Sequence, residues 1–405
     1  MPATGSLTCD AGKQRRSRQR AWATLLVAAL SLVLVLRAAE VEAGEQCWST
    51  EALADTPGER IVHKDVAAAY RQPPLSEVAT QPAVSTDPAL RGKVLRRVDL
   101  PPGVKRIAFT FDLCEQPFEI TGYQGDVFDF LRKHQVPATI FAGGKWMVTH
   151  PHRAEQILGD PLFEIGNHAW EHRNLRVAAP DVRRSEIDGA AASYDATYRK
   201  LQQRACLARD GRPASEVAAS RQTLFRFPFG ACTAAAITDV ESRGLLAVQW
   251  DVSSSDPWPG LTADAMIENV SKRVRPGSIV LFHANGRGFK TAQALPSLVQ
   301  RLRAQGYEFV TVSQLLATPG ARPVTSPECY DFKPKDVERY DDLARNIERQ
   351  AQTFYARFGS PRPDAPEATP SATEKAPSAA ATTPPAAVKT PSAAGKTLPA
   401  AVKTP

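Results

Sequence analysis

From residue 94 to about residue 316 the chain alternates strand-like and helix-like segments, and this restricts its fold more than any other feature. Ile107, Phe109 and Phe111 alternate with Ala108 and Thr110, a period of two that predicts a strand over 104–111. Val127, Phe130 and Leu131 share one side of a helix predicted over 126–134. Further strands are expected over 137–142, 163–165, 224–227, 245–250, 278–282 and 307–310. Helices are expected between them, the longest starting at Pro180-Asp181. Strands separated by helices pair in parallel through crossovers. The expected fold is α/β, a distorted (β/α) barrel, with an open doubly wound sheet as the competing architecture. Both put functional residues at the carboxyl ends of strands.

The flanks are of different character. Lys13, Arg15, Arg16, Arg18 and Arg20 precede an apolar run over 21–36, and Val41-Glu42-Ala43 offers a small-residue cleavage site. Residues 1–43 therefore read as a signal peptide, or as an uncleaved anchor because Arg37 closes the run sharply. Either reading places the domain outside the cytoplasm, in a bacterial periplasm or cell envelope. Residues 44–93 form an irregular, poorly packed lead-in, 94–320 the catalytic domain, and 321–357 a charged helical appendage. Residues 358–405 form a Pro/Ala/Thr/Lys-rich tail in which Pro-Ala-Ala-Val-Lys-Thr-Pro recurs at 385–391 and 399–405. A tail of that composition buries no core and is expected to be disordered.

The formal net charge is +7, but the basic residues gather in the signal and are otherwise dispersed, without interleaved aromatics. That pattern argues against nucleic acid as a partner and leaves the possible anchor as the route to a membrane. Once Cys9 leaves with the signal, Cys47, Cys114, Cys206, Cys232 and Cys329 remain, so at least one thiol stays unpaired. A bridge between Cys114 and Cys232 is plausible, and Cys47 with Cys329 could tie the ends of the domain together, while the connectivity itself is left open by the sequence.

Chemistry-bearing residues fall at strand ends. Asp112 ends an apolar strand, where an uncompensated carboxylate is costly. In Gly166-Asn167-His168-Ala169-Trp170-Glu171-His172, two imidazoles four residues apart suit one divalent ion. Arg226-Phe227-Pro228-Phe229-Gly230 places a cation and a tight turn after another strand; the cation can hold a carboxylate, and the turn's N–H groups can face an oxyanion. Asp256 and Trp258 follow the next strand, and Leu281-Phe282-His283 ends the one after it. A histidine there can act as a general acid. The rival pattern is His-x-x-Glu-His of inverted zincins, with Glu171 as base, which needs a helix through both histidines.

In this order the motifs resemble those of the polysaccharide deacetylase family (the NodB homology domain, carbohydrate esterase family 4), over about residues 106–316. The resemblance implies a distorted (β/α) barrel that hydrolyses N-acetyl or O-acetyl groups of a glycan by metal-assisted water attack. The glycan would be peptidoglycan, an exopolysaccharide or a chitin-like oligomer. It implies Asp112 as general base, Arg226 as the residue positioning it, His168 and His172 as metal ligands, and His283 as acid tuned by Asp256. Phe229 would contribute its backbone N–H to an oxyanion site, and Trp258 and Leu281 would line the acetyl pocket. The implied cofactor is a divalent metal such as zinc or cobalt. This chain departs from the pattern at Leu113, which stands where the family has a metal-binding Asp. Glu115, or the thiolate of Cys114, is then the expected substitute. Leu113 also motivates a second reading, a catalytically degenerate domain that binds glycan without turnover.

Overall fold

The computed structural model describes residues 47–65, 72–74, 89–206, 215, 218–329 and 336–358. The predicted signal and the predicted tail lie outside the described residues. Among the described residues no helix is long and apolar enough to cross a membrane.

The strands are β1 His63–Lys64, β2 Val94–Asp99, β3 Arg106–Leu113, β4 Glu119–Ile120, β5 Ala138–Ala142, β6 Phe163–Asn167, β7 Leu224–Phe225, β8 Leu246–Ala247, β9 Val252–Ser253, β10 Ile279–His283, β11 Glu308–Phe309 and β12 Arg322–Ser326. The main sheet runs β8-β7-β6-β5-β3-β10-β9, with β11 also on β3, and its ladders are parallel. The connecting helices include Gly125–Lys133, Pro151–Leu158, Pro180–Gln202, Ala234–Glu241, Ala263–Arg273 and Thr291–Ala304. The sheet curls into a distorted barrel. β2 touches both of its margins, bridging Leu95 to Val248 past β8 and Arg97 to Ser278 before β10, while pairing antiparallel with β12.

Period-two alternation sorts the core into two layers. On β3 and β10, Ile107, Phe109, Phe111, Leu113, Val280 and Phe282 pack in the cluster that also holds Val127, Leu131, Leu295 and Leu298 of the covering helices. Ala108, Ile279 and Leu281 point the other way, into a cluster with Phe141, Leu224, Val248 and Trp250. Leu113, the departure at the family's metal position, is fully buried in the first layer. Gly166 is needed where β6 crosses the second layer: a Cβ there would sit 2.6 Å from the Phe141 ring.

The lead-in differs from expectation. Its described part is tied down, because Arg153 donates to the carbonyls of Ala52, Leu53 and Ala54 and covers the end of the short helix Thr50–Leu53. The expected disulfides are also corrected. The bridges are Cys47–Cys206 and Cys232–Cys329, with Cα separations of 5.3 and 5.7 Å, and Cys114 stays unpaired and buried. Cys114 follows β3 and Cys232 lies beyond β7, three places along the sheet order; at ~4.8 Å per strand that is about 14 Å, beyond a disulfide's reach.

Candidate active site

β3 and β10 are neighbours in register, with Leu281 opposite Thr110 and His283 opposite Asp112. Paired residues of parallel strands share a face, so Asp112 and His283 stand side by side at the carboxyl end of the barrel.

Arg226 follows β7 and is wholly buried, with its guanidinium carbon 4.0 Å from the Phe141 ring centroid. Its Nη1 donates to Asp112 Oδ1 (2.9 Å) and to Thr110 Oγ1 (2.7 Å), and its Nη2 donates to Gln249 O (3.2 Å). Thr110 Oγ1 in turn donates to Val280 O (2.7 Å). One carboxylate oxygen of Asp112 is thus held by a charge-assisted bond, and the other lies 3.5 Å from His168 Nε2.

On the other side, Asp256 Oδ1 accepts from His283 Nδ1 (2.9 Å), and Oδ2 accepts from the His283 backbone N–H (2.7 Å) and from Thr291 Oγ1 (2.7 Å). A carboxylate can only accept here, so Nδ1 carries the hydrogen and Nε2 is the nitrogen left to deliver a proton. Burial pulls the His283 imidazolium down, but the charge and hydrogen bond of Asp256, together with the charge of Asp112, outweigh it and hold the group above its ordinary value. Gly288 permits this packing, since a Cβ there would lie 2.2 Å from His283 O. Thr291 was not singled out in the sequence because a threonine opening a helix carries no distinctive signal.

His168 and His172 occupy the loop that leaves β6. Ala169 (φ 65°) and His172 (φ 57°) are left-handed, as are Phe229 (φ 59°) and Ser255 (φ 62°) in the loops bearing Arg226 and Asp256. Non-glycine residues adopt this region at a cost, and such residues gather at functional sites. A loop with that backbone is no helix, so the inverted-zincin reading fails. Glu171, its proposed base, is instead engaged by Arg173 Nε (2.7 Å). His168 Nδ1 donates to Arg226 O (2.9 Å), which fixes the tautomer and leaves Nε2 as a lone pair. Burial pulls His168 below the ordinary imidazole value and His172 well below it, so both are neutral. Nε2 of His168 and Nδ1 of His172 are buried without a hydrogen-bond partner. Two neutral imidazoles with unpaired buried nitrogens fit a divalent metal ion.

Glu115 is not brought to this pair. Its Oε2 accepts from Thr121 N (3.1 Å) and Thr149 Oγ1 (2.8 Å), past the end of β3. Cys114 is brought there: its Sγ and one nitrogen of each histidine all lie within 4.8 Å of one another. The Phe229 ring packs on His172 with centroids 4.5 Å apart, and Leu281 lines the barrel interior. Trp258 is 63% exposed in the loop after Asp256. A cleft opens beside His172 and Phe229, with Val177 and Val182 on one wall and Ala344, Ile347 and Glu348 of the helix Asp336–Phe358 on the other. That helix, expected as an appendage, is anchored to the histidine loop by Arg173–Glu348, by Asn174 donating to Asp341 (3.3 Å) and by Arg176–Asp341 (3.3 Å).

Residues 99–248 match the family model of polysaccharide deacetylases. A peptidoglycan-N-acetylglucosamine deacetylase of Bacillus cereus is 29% identical over 221 residues, which cover 54% of this chain and 91% of that protein. A chitooligosaccharide deacetylase of Bradyrhizobium is 27% identical over 226 residues, 53% of this chain and 91% of that protein. Among solved structures, a CE4 family pseudoenzyme from Bacillus anthracis aligns at 22% identity with a TM-score of 0.43, covering 55% of this chain and 68% of its own. Over the matched residues the chain is similar to the polysaccharide deacetylase family.

Proposed function

We propose that the domain at about residues 94–320 is an exported deacetylase that hydrolyses the acetamide of an N-acetylated glycan, of the peptidoglycan or chito-oligosaccharide kind named for its relatives. One observation carries this reading: an Arg-held carboxylate and an Asp-held histidine stand in register on adjacent strands, a base and an acid facing one substituent. Asp112, oriented by Arg226, takes the proton of the attacking water. His283 gives its Nε2 proton to the leaving amine, while Asp256 and Thr291 hold the ring in place. His168 and His172 would hold a divalent ion, which when bound would supply Lewis-acid polarisation. In this reading Leu281 and Trp258 would bound the acetyl group and sugar, beside the Phe229 turn. Two disulfides suit an oxidising compartment and support export.

Acetate release from N-acetylated chito-oligosaccharides and peptidoglycan tests this reading. Asp112→Asn and His283→Ala should each lower the rate by roughly 10²–10⁴-fold, with the circular dichroism spectrum unchanged. Equal release by wild type and both variants would sink the role assignment. The second reading, glycan binding without turnover, rests on Leu113, which cannot coordinate. It predicts retention on immobilised glycan with no acetate released by the metal-loaded wild type.

A further inference from the structure

We propose that Cys114 is the third protein ligand of the metal site, so that this chain has a His-His-Cys set in place of the histidine pair alone. The inference rests on the metal-assisted reading above. Thr110 and Asp112 fall on one face of β3, Leu113 is committed to the apolar layer behind, and Cys114 is the first residue past the strand end. The Cys114 Sγ emerges beside the carboxylate and the two histidines, within the 4.8 Å that encloses one nitrogen of each. A buried cysteine alone would be an ordinary small apolar side chain. His168 makes the difference. It is 1% exposed, its Nδ1 is used on Arg226 O, and its Nε2, 3.5 Å from Asp112 Oδ2, is buried without a hydrogen bond.

The surroundings of the sulfur fit the same role. Asn285 Nδ2 donates to Cys114 Sγ (3.3 Å) and to Cys114 O (2.8 Å), and Thr121 Oγ1 also donates to Cys114 O (2.9 Å). The Asn285 N–H fixes the direction of the sulfur, as outer partners do for other metal ligands; burial and the Asp112 charge hold the metal-free group as a thiol, so the sulfur ionises only as an ion takes the place of its proton. Asp112 is the competing ligand, but one of its oxygens is held by Arg226, which keeps the carboxylate available for proton transfer. On binding, the Sγ–H bond is exchanged for an Sγ–metal bond and the proton leaves to solvent. A thiolate also sets the preference of the site, since soft sulfur favours zinc and cobalt over magnesium or manganese.

The test is a titration of cobalt(II), then zinc(II), into the metal-free full chain. Wild type should develop a thiolate-to-cobalt charge-transfer band in the near ultraviolet, and Cys114→Ser and Cys114→Ala should lack it. Zinc affinity of both variants should fall roughly a hundredfold or more, beyond the ~10–100-fold typical of losing an outer-sphere partner, with thermal melts of the metal-free proteins showing that they fold. His168→Ala should lose the band as well. A cobalt complex of wild type without the band, or variants within tenfold of wild-type zinc affinity, overturns the assignment. If acetate is still released in that case, the deacetylase reading survives alone. A band without acetate release on any acetylated glycan keeps the ligand set and removes the deacetylase.

Discussion

The two halves of the site differ in how completely they are satisfied. On the acid side every polar atom of Asp256 that faces His283 is used, by a ring N–H, a backbone N–H and a threonine hydroxyl. On the water side the scaffold is equally tight around Arg226 and Asp112, yet the two histidines keep buried nitrogens with no partner. Unsatisfied buried polar atoms are rare and call for an explanation. The acid half is finished by protein alone, whereas the water half keeps two histidine nitrogens without a hydrogen bond, which is where the proposed ion would bind.

Three measurements break or sharpen this contrast. The largest effect should come from Arg226→Met, which removes the guanidinium partner of buried Asp112. Removing one member of a buried ion pair costs about 3–5 kcal/mol, and urea unfolding should show a loss of that size together with loss of acetate release. A loss below about 1 kcal/mol, the net worth of an ordinary hydrogen bond, would mean the water half is not held by this pair. Next, zinc at about a hundred times its dissociation constant should stabilise the fold by about 2.7 kcal/mol. The gain should be the same in wild type and His283→Ala and absent in His168→Ala. A gain that vanishes in His283→Ala would show that the halves are not separable.

The smallest effect concerns pH. Burial alone would lower His283 below its ordinary value of 6.5, but Asp256 outweighs it and the net shift is upward. The acid form therefore persists above 6.5, and kcat/KM should fall as pH rises through the elevated value. Asp256→Asn removes the charge and leaves the desolvation, so the alkaline limb of the profile should move toward acid. An unmoved limb would assign it to another group.

The sequence made much of this legible. Ile107-Ala108-Phe109-Thr110-Phe111 announces its strand because period two is local, and the structure extends that strand to Arg106–Leu113. The helix expected over 126–134 is Gly125–Lys133, for the same reason. The strand expected over 245–250 survives only as Leu246–Ala247. There the chain must leave the barrel margin to meet β2, which local pattern does not reveal. The disulfides were misassigned because cysteine spacing carries no information about strand order, and strand order decides which sulfurs meet. The sequence offered both Glu115 and Cys114 as ligands; both lie past the end of β3, and only the folded loop shows Glu115 turned to Thr121 and Thr149 and Cys114 turned to the two histidines.

By itself the sequence determined the alternation of elements, the residue types at the strand ends and the resemblance to polysaccharide deacetylases, since these are encoded in short-range order. Tertiary structure alone decided which cysteines pair, that Arg226 spans the barrel to reach Asp112, that Thr291 completes the Asp256–His283 pair, and that a sulfur stands beside the two histidines. These are distances between segments far apart in the chain, set by how the sheet curls and in what order its strands lie.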